Sequence, residues 1–331
     1  MPKAAVIHET GGPEVFRYED VEVGDPGPGE VRLKHTAIGV NYADTYHRGG
    51  VSHPWPVGAP PVIVGFEATA EVVGLGPDAA GFAAGDRVVY GLPPLGAYSQ
   101  ERIYPVSTLL QIPEGVDPVP LAGIFMKGLT AYYLLHKTYA VKPGDWVLVH
   151  AAAGGMGNVL VPWAKHLGAN VIGTVGSEAK AAIAKALGCD YVIDYSIEDF
   201  AARCRALTDG AGVHVVYESI GKATLTKSLD SLRPLGMCAA YGHASGPPDP
   251  VDIIQDLGAR GSLFVTRPAV MHYLATRAAL EEAAAALFAA LEAGIIRSTV
   301  NHTYPLSEAA QAHRAIHERR TTGSSVLLPF A

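Results

Sequence analysis

Small residues crowd one turn of the sequence, between an apolar run and a stretch that favours a helix. Residues 146–150 read WVLVH, and AAAGGMGNVL follows directly. Glycine allows a tight turn and lets a pyrophosphate come close to backbone amides, and a helix N-terminus favours the phosphate. Because the turn stands between a strand and a helix, it favours a dinucleotide site over a plain packing turn. The residues that would form this site are Ala151, Gly154, Gly155, Met156 and Gly157.

The end of the next strand indicates which dinucleotide this is. NAD sites usually carry Asp or Glu there, on the ribose hydroxyls. Here NVIGTV is followed by Gly176, Ser177, Glu178 and Lys180, with no acid at the strand tip. The hydroxyl of Ser177 and the cation of Lys180 suit a 2′-phosphate, so the sequence favours NADPH. Two alternatives stay open: Glu178 takes the role of the acid, or Lys180 is an ordinary solvated helix charge.

The second half of the chain predicts the elements that position these residues. From about residue 120, apolar strands alternate with helices, a rhythm typical of a parallel doubly wound sheet. The predicted strands are WVLVH, NVIGTV, YVIDY, HVVYES, GMCAAYG and a closing GSLFVT. The predicted helices cover residues 155–167, 177–187, 197–207 and 224–232, and two later ones cover 278–293 and 307–318. A last strand, SSVLLPF, follows.

Residues 1 to about 120 read as mostly β structure. The predicted strands are KAAVIH, EVRLKHTAIGV, TAEVVGLG and DRVVYG. Turns rich in glycine and proline, such as GDPGPGE and HPWPVGAPP, separate them. The sequence therefore predicts an α/β protein with a β-rich first part.

Composition excludes several classes of protein. The chain has 331 residues, 49% hydrophobic and 17% charged, and a net charge of −7. It has no basic patch for nucleic acid and no apolar run of about 18 residues for a membrane span. The N-terminus lacks an apolar signal core, so we expect a cytoplasmic protein. Three cysteines give no disulfide framework and no four-cysteine zinc site.

Ordered motifs along nearly the whole chain identify a family. The chain resembles the zinc-free quinone oxidoreductases, the zeta-crystallin-like group of the medium-chain dehydrogenase/reductase superfamily. The matching stretches are HETGGPEV, AIGVNYADTYHRGG, GFEATAEVVGLG, AGDRVVY, MKGLTAYYLL, VHAAAGGMG, GTVGS, LFVTRP and GSSVLL. The resemblance implies a GroES-like catalytic domain from residues 1–123 and 266–331, and a Rossmann domain from 124–265.

The resemblance also implies that no metal is used. Zinc-dependent relatives have Cys where this chain has Asn41, and His where it has Phe66. Phenylalanine cannot bind zinc and an amide is a poor ligand. Residues 91–104, where those relatives carry a four-cysteine lobe, contain no cysteine. A quinone needs no Lewis acid because it already accepts a hydride well, so positioning against NADPH would be enough.

Three functions are weighed. The first is an NADPH-dependent quinone oxidoreductase acting on a small-molecule quinone. The second is an NADPH-dependent reductase of α,β-unsaturated carbonyl compounds, with Tyr46 as proton donor. The third is a structural or RNA-binding protein with a relic cofactor site, against which the acidic net charge counts.

The resemblance places several residues at the nicotinamide end of the site. Asn41, Asp44 and Tyr46 would line it, with Asn41 bonding a ribose, a carboxamide or a quinone oxygen. The alternatives are a local turn for Asn41, a helix cap for Asp44 and a pocket wall for Tyr46. Arg48 would balance anionic charge on the reduced quinone or phosphate, or pair with a surface acid.

Further contacts follow from the same resemblance. Lys127, at the domain junction, would assist hydride transfer or form an interdomain salt bridge, and Thr130 would touch the carboxamide. Tyr195 corresponds to an adenine-side contact. Arg319 corresponds to a phosphate-contacting arginine or is a surface residue.

The remaining candidates follow the later strands, whose carboxyl ends bind the ligand in an open α/β sheet. These candidates are Ser219, Gly221, Tyr241, Gly242, His243, Phe264, Val265 and Thr266. The apolar strand GSLFVT is expected at a sheet edge, where an uncovered strand invites pairing with a second copy. We therefore expect a two-fold homodimer, as the resemblance also implies.

Overall fold

The computed structural model describes residues 1–51 and 58–331, which divide into two compact units. The first unit comprises Met1–Lys127, Thr276–Ala284 and Ser298–Ala331. The second comprises Gly128–Ala275 and Ala285–Arg297. Most of the turn predicted at HPWPVGAPP lies outside the described residues.

The first unit is built on two sheets of mainly antiparallel strands. Its strands, numbered along the whole chain, are β1 (Lys3–Ile7), β2 (Phe16–Asp20), β3 (Glu30–Val40), β4 (Val62–Ile63), β5 (Ala68–Leu75), β6 (Arg87–Tyr90), β7 (Glu101–Pro105), β8 (Leu110–Gln111), β15 (Val300–Pro305) and β16 (Ser324–Leu328). The smaller sheet has the order β2-β1-β4. The larger has the order β15-β16-β3-β5-β6-β8, with β7 also paired to β3.

Strand β3 is the centre of the first unit. Its alternating residues Val31 and Leu33 are fully buried, as expected for a strand with one face on the core. The C-terminal strand β16 pairs antiparallel with β3, with Val326 opposite Gly39. The end of the chain thus completes the sheet that begins near its start.

The second unit contains a parallel sheet of six strands. These are β9 (Trp146–Val149), β10 (Asn170–Val175), β11 (Tyr191–Asp194), β12 (Val213–Glu218), β13 (Leu232–Ala240) and β14 (Phe264–Thr266). Their order is β11-β10-β9-β12-β13-β14 and every pair is parallel. The order reverses between β9 and β12, which is the switch point where such sheets bind a dinucleotide. The predicted doubly wound sheet is confirmed.

Helices occur in both units. They are α1 (Tyr42–Gly49), α2 (Pro118–Ala122), α3 (Phe125–Tyr133), α4 (Gly157–His166), α5 (Glu178–Ala186), α6 (Phe200–Leu207), α7 (Leu225–Asp230), α8 (Val270–Tyr273), α9 (Arg277–Glu292) and α10 (Ala309–His317). None of the helices in residues 1–51 and 58–331 is long and apolar enough to cross a membrane.

The helix bounds differ from the predicted ones mainly at capping residues. The helix predicted over 197–207 begins at Phe200 because Asp199 caps it, accepting from Ala201 N at 2.9 Å and Ala202 N at 3.1 Å. An aspartate in this position satisfies amides that have no partner within the helix. Apolar periodicity alone gives no sign of that boundary.

Candidate active site

A buried polar cluster surrounds the start of α1 in the first unit. Asn41 is the N-cap residue, and its backbone N donates to Asp44 Oδ2 at 2.8 Å in a capping box. Its side-chain Nδ2 donates to Glu67 Oε2 at 2.6 Å. Asp44 therefore has the capping role that was one of its two sequence alternatives, and the Asn41 amide is held by a carboxylate.

Glu67 links this cluster to α3. It is fully buried and also accepts from Met126 N at 2.6 Å. Lys127 Nζ lies 3.8 Å from Glu67 Oε2 and donates to Gly123 O at 2.8 Å. Burial raises the pKa of Glu67, and the charge of Lys127 opposes that rise. Lys127 is thus a buried cation beside a buried carboxylate.

Sequence reasoning missed Glu67. The signal for it was a charged residue directly after Phe66 in the otherwise apolar run VGFEATA. A charge in such a run is buried only when it is paired or hydrogen-bonded.

A second chain of hydrogen bonds runs from Asp44 to Arg48. Tyr98 Oη donates to Asp44 Oδ2 at 3.0 Å and lies 2.9 Å from His313 Nε2. Arg48 Nη1 lies 3.1 Å from His313 Nδ1, and Arg48 Nε donates to Gly11 O at 3.0 Å. Because a guanidinium only donates, His313 accepts at Nδ1 and donates from Nε2 to the Tyr98 oxygen.

The bonds from Arg48 through His313 and Tyr98 are therefore all directed toward Asp44. Burial lowers the pKa of His313, which keeps its ring neutral as this direction requires. Burial also raises the pKa of Asp44 to about 7, while its bonds from Asn41 and Tyr98 oppose the rise. Asp44 Oδ1 has no hydrogen-bond partner among the described residues. A proton on Asp44 therefore belongs on Oδ1, since Oδ2 accepts two bonds.

The other candidates of the first unit are spread around α1. Tyr46 is 8% exposed, and its ring centroid lies 5.4 Å from that of Tyr42. Burial raises the pKa of Tyr42, and the charges of Arg319 and Arg48 oppose that rise. Arg48 itself is 2% exposed; burial lowers the pKa of Arg48, and the charge of the exposed Glu14 opposes that fall.

The glycine-rich turn opens the second unit's site. It joins β9 to α4, and Ala151 has a φ of 51°, a conformation that favours glycine. Gly154 N donates to Ala151 O at 2.8 Å, closing the turn. A Cβ on Gly157 would overlap Ala152 O, so the first residue of α4 must be glycine. Gly155 and Met156 lie between, with Met156 as the N-cap residue of α4.

The candidates for the 2′-phosphate lie together at the ends of β10 and β11. Ser177 is the N-cap residue of α5, and its Oγ accepts from Lys180 N at 3.4 Å. A Cβ on Gly176 would lie 2.6 Å from the hydroxyl of Tyr195, so these loops touch. The structure thus brings Tyr195, which was predicted separately, next to the stretch from Gly176 to Lys180.

The loops that follow β12 and β13 also meet. A Cβ on Gly242 would lie 2.8 Å from Ser219 O, and Tyr241 N donates to Glu218 O at 2.9 Å. A Cβ on Gly221 would lie 2.9 Å from the Cα of His243. The loops after β12 and β13 are therefore in direct contact.

The last candidates lie on β14 and α3. Thr266 ends β14 opposite Ala239 of β13, whereas Phe264 begins β14 with its side chain 55% exposed. Val265 is half-buried between them. Thr130, on α3, is 7% exposed.

No group of three His, Cys, Asp or Glu side chains that could hold a metal ion occurs in the described part of the chain. At the two positions where zinc-dependent relatives have ligands, Asn41 is bonded to Glu67 and Phe66 is fully buried. The Phe66 ring packs edge-on against His47, with centroids 5.9 Å apart.

Comparison with known proteins matches both units. Residues 27–114 match the family described as alcohol dehydrogenase GroES-like domain, and residues 155–290 match the family described as zinc-binding dehydrogenase. These matches confirm the predicted GroES-like part and the Rossmann part.

Relatives that match this chain over nearly its whole length are named for two different activities. A 2-haloacrylate reductase from Burkholderia sp. is 59% identical over 100% of both chains. A quinone oxidoreductase from Pseudomonas aeruginosa is 44% identical over 99% of this chain and 100% of the relative. The crystal structure of Escherichia coli quinone oxidoreductase complexed with NADPH has a TM-score of 0.95 at 40% identity, covering 99% of this chain and 100% of that one.

Proposed function

This chain belongs to the quinone oxidoreductase family of the medium-chain dehydrogenases/reductases, and we propose that it is an NADPH-dependent quinone reductase that needs no metal. The observation that carries the proposal is the glycine turn at the end of β9, where α4 begins without room for a side chain at Gly157. The close approach of Gly157 to Ala152 O packs the N-terminus of α4 against the end of β9, and a helix N-terminus in this place is where such sheets bind a pyrophosphate. The E. coli relative of known structure is complexed with NADPH.

The residues at the ends of β10 and β11 suit the phosphorylated form of the cofactor. Ser177 supplies a hydroxyl at the N-terminus of α5, and Lys180 supplies a cation in the first turn of the same helix. A positive helix end and an ammonium both favour a 2′-phosphate. We assign Tyr195 to the adenine side and Arg319 to a phosphate contact.

Bound NADPH would supply a hydride, and the quinone would take that hydride and a proton from water to become a hydroquinone. The first unit's residues orient and stabilise the acceptor. Glu67 fixes the amide of Asn41 so that it presents one orientation. Lys127 holds a positive charge that stabilises negative charge developing on the acceptor oxygen.

The donor set supports metal-free chemistry. An amide bonded to a carboxylate and a buried phenyl ring stand where zinc ligands stand in related enzymes. Neither is a group that zinc selects. Positioning and electrostatics must therefore carry the rate enhancement.

Turnover tests the proposal directly. We expect chelator-treated protein to oxidise NADPH with 1,4-benzoquinone, and to prefer NADPH to NADH by about tenfold or more, since one charge-assisted hydrogen bond is worth that much. Strict dependence on added zinc, or equal use of the two cofactors, would reject it.

The Burkholderia relative favours a second candidate function. It is named as a reductase of 2-haloacrylate, a compound with a conjugated carbon–carbon double bond, and it is 59% identical to this chain. The same hydride delivery would serve such an acceptor, with Tyr46 as the proton donor. Comparing kcat/KM for 2-chloroacrylate and 1,4-benzoquinone decides between the two acceptors, and a Tyr46→Phe variant that slows only the alkene reaction supports the role of Tyr46.

A further inference from the structure

A buried polar network lies at the carboxyl ends of three neighbouring strands of the second unit, β10, β9 and β12. Glu218, the last residue of β12, is fully buried. Its Oε1 accepts from Ile220 N at 2.6 Å, Gly221 N at 3.1 Å and Thr224 Oγ1 at 2.9 Å. Its Oε2 accepts from Ser228 Oγ of α7. One carboxylate thus gathers four donors from the loop after β12 and the helix beyond it.

His150 extends the network to the two neighbouring strands. Its ring is 1% exposed, with Nε2 2.9 Å from Ser228 Oγ and Nδ1 2.9 Å from Thr174 Oγ1 on β10. Because Ser228 gives its proton to Glu218, it accepts from His150 Nε2, and His150 Nδ1 accepts from Thr174. Burial lowers the pKa of His150, and the nearby Glu218 charge opposes this, so the neutral ring fits the pattern.

The network ends directly under the loops assigned to the cofactor. His150 is followed by Ala151, the residue with positive φ that begins the glycine turn. Glu218 bonds the amides of Ile220 and Gly221, which fixes the loop after Ser219. These two loops flank the switch point between β9 and β12.

We propose that His150 and Glu218 are positioning residues for the dinucleotide, holding the glycine turn and the 219–221 loop in the conformation that binds it. This inference rests on the proposed function for its ligand. Apolar residues would fill the same volume, but they would form no hydrogen bonds that orient the backbone amides of the loops. Each link of the network instead orients one particular backbone or side-chain group.

Two substitutions remove separate parts of the network. In Glu218→Gln, the carboxylate charge is lost, so the bonds from Ile220 N and Gly221 N are no longer charge-assisted. The new NH2 also requires Ser228 to accept, which reverses the bonds at His150 and Thr174. In His150→Phe, both ring bonds are lost while the ring volume is kept. His150→Gln restores a donor near the position of Nε2 and should rescue the link to Ser228.

The experiment measures the Kd of NADPH by fluorescence titration, and steady-state KM values for NADPH and 1,4-benzoquinone. We expect Glu218→Gln and His150→Phe to raise the Kd and KM of NADPH about tenfold or more, with the KM of the quinone changed by less than about twofold. His150→Gln should recover most of the loss. The matched control is Glu198→Gln, an exposed acid of the same unit that pairs with Arg203 at 3.7 Å.

Amide hydrogen exchange of the unliganded protein gives a readout that needs no cofactor. We expect peptides covering 150–157 and 219–224 to exchange faster in Glu218→Gln than in the native protein and in Glu198→Gln, with the rest of the unit unchanged. If the native protein binds no NADPH, the proposed function fails, and exchange still decides whether the pair fixes the loops.

Milder variants keep the inference falsifiable if a substitution prevents folding. Ser228→Ala removes the two bonds of the Ser228 hydroxyl and Thr174→Val removes one, both with little change in volume, and each should raise the Kd of NADPH by about threefold or more. Folded variants that bind NADPH as the native protein does, with unchanged exchange in both loops, would overturn the inference.

Discussion

Single residues in the first unit form a buried hydrogen-bonded cluster at the start of α1. Asn41 donates to the buried Glu67, and Lys127 lies 3.8 Å from the same carboxylate. The proposed function gives the ammonium group of Lys127 the role of stabilising negative charge on the acceptor. An ammonium stabilises developing negative charge but cannot lower the pKa of a bound alcohol as a Lewis acid does, which favours strong acceptors such as quinones.

The types of these residues could be predicted from sequence, but their partners could not. Asn41 and Phe66 were recognisable by their positions in short motifs. Tyr98 and His313 were missed because their hydrogen bond joins residues 215 positions apart. Pairing over such a distance is decided by the tertiary fold, and local patterns have no signal for it.

Lys180 should determine the preference for NADPH. We expect Lys180→Ala to raise the KM of NADPH about tenfold and leave that of NADH nearly unchanged, since only the former loses a charge-assisted hydrogen bond. Steady-state kinetics with both cofactors measure this. Lys185→Ala, in the last turn of the same helix, is the control. A Lys180→Ala variant with native selectivity would remove Lys180 from the site.

Asp44 should make stability depend on pH. Burial raises its pKa from an ordinary value of 3.8 to about 7 in the folded protein. Between these two pH values the folded state binds more protons than the unfolded state. The contribution of Asp44 to the free energy of unfolding is therefore fully present below pH 3.8 and is lost as pH rises through about 7. The slope is on the order of 1.4 kcal/mol per pH unit.

Thermal unfolding of the native protein and of Asp44→Asn across this pH range measures the effect. We expect the Tm of the native protein to fall relative to the Tm of Asp44→Asn as pH increases, because the amide side chain of the variant does not titrate. Parallel curves for the two proteins would show that Asp44 ionises at the same pH in both states.

The elements that carry the site are mostly those the sequence pattern predicts. Strands β3 and β10 have the predicted bounds, since apolar residues end at turn residues on both sides. Helix α6 begins three residues later than predicted because of the Asp199 cap, and β13 begins four residues earlier, at Leu232. Periodicity therefore locates an element, whereas hydrogen bonds at its ends decide its length.

The start of α4 should tolerate no side chain. A Cβ on Gly157 would overlap Ala152 O, so Gly157→Ala must displace the turn or the helix. We expect a stability loss of about 1–3 kcal/mol and NADPH binding weaker by about tenfold or more. Thermal melts and fluorescence titration measure the two effects.

Gly258→Ala is the control for this substitution. There the added Cβ would lie 3.5 Å from Ile253 O, an ordinary contact. If Gly157→Ala behaves like this control in both measurements, close packing at the turn is not what the cofactor site requires.

At the scale of the whole molecule, the C-terminal strand was the least predictable feature. The pattern of apolar residues predicts SSVLLPF as a strand, but only the family resemblance implies that this strand belongs with the first part of the chain. In the structure β16 pairs with β3, whose residues precede it by almost 290 positions, as Val326 opposite Gly39. No local propensity encodes a contact between segments so far apart in the chain.

The edge strand β14 should join two copies of the chain. It is the last strand of the parallel sheet, and Phe264 on it is 55% exposed. We expect a two-fold dimer with twice the monomer mass of 34.6 kDa. Phe264→Lys places a charge on this edge and should yield monomers. Multi-angle light scattering measures the molar mass of the native protein and of the variant, and a monomeric native protein would contradict the prediction.

The most direct test of the account is oxidation of NADPH by 1,4-benzoquinone, followed by absorbance, with protein that has been stripped of metal and checked for residual zinc. The account predicts full activity in the stripped protein, no gain when zinc is added back, and much weaker turnover when NADH replaces NADPH. Activity that disappears on stripping and returns with zinc would contradict the central claim that positioned side chains, without a metal, direct the hydride to its acceptor.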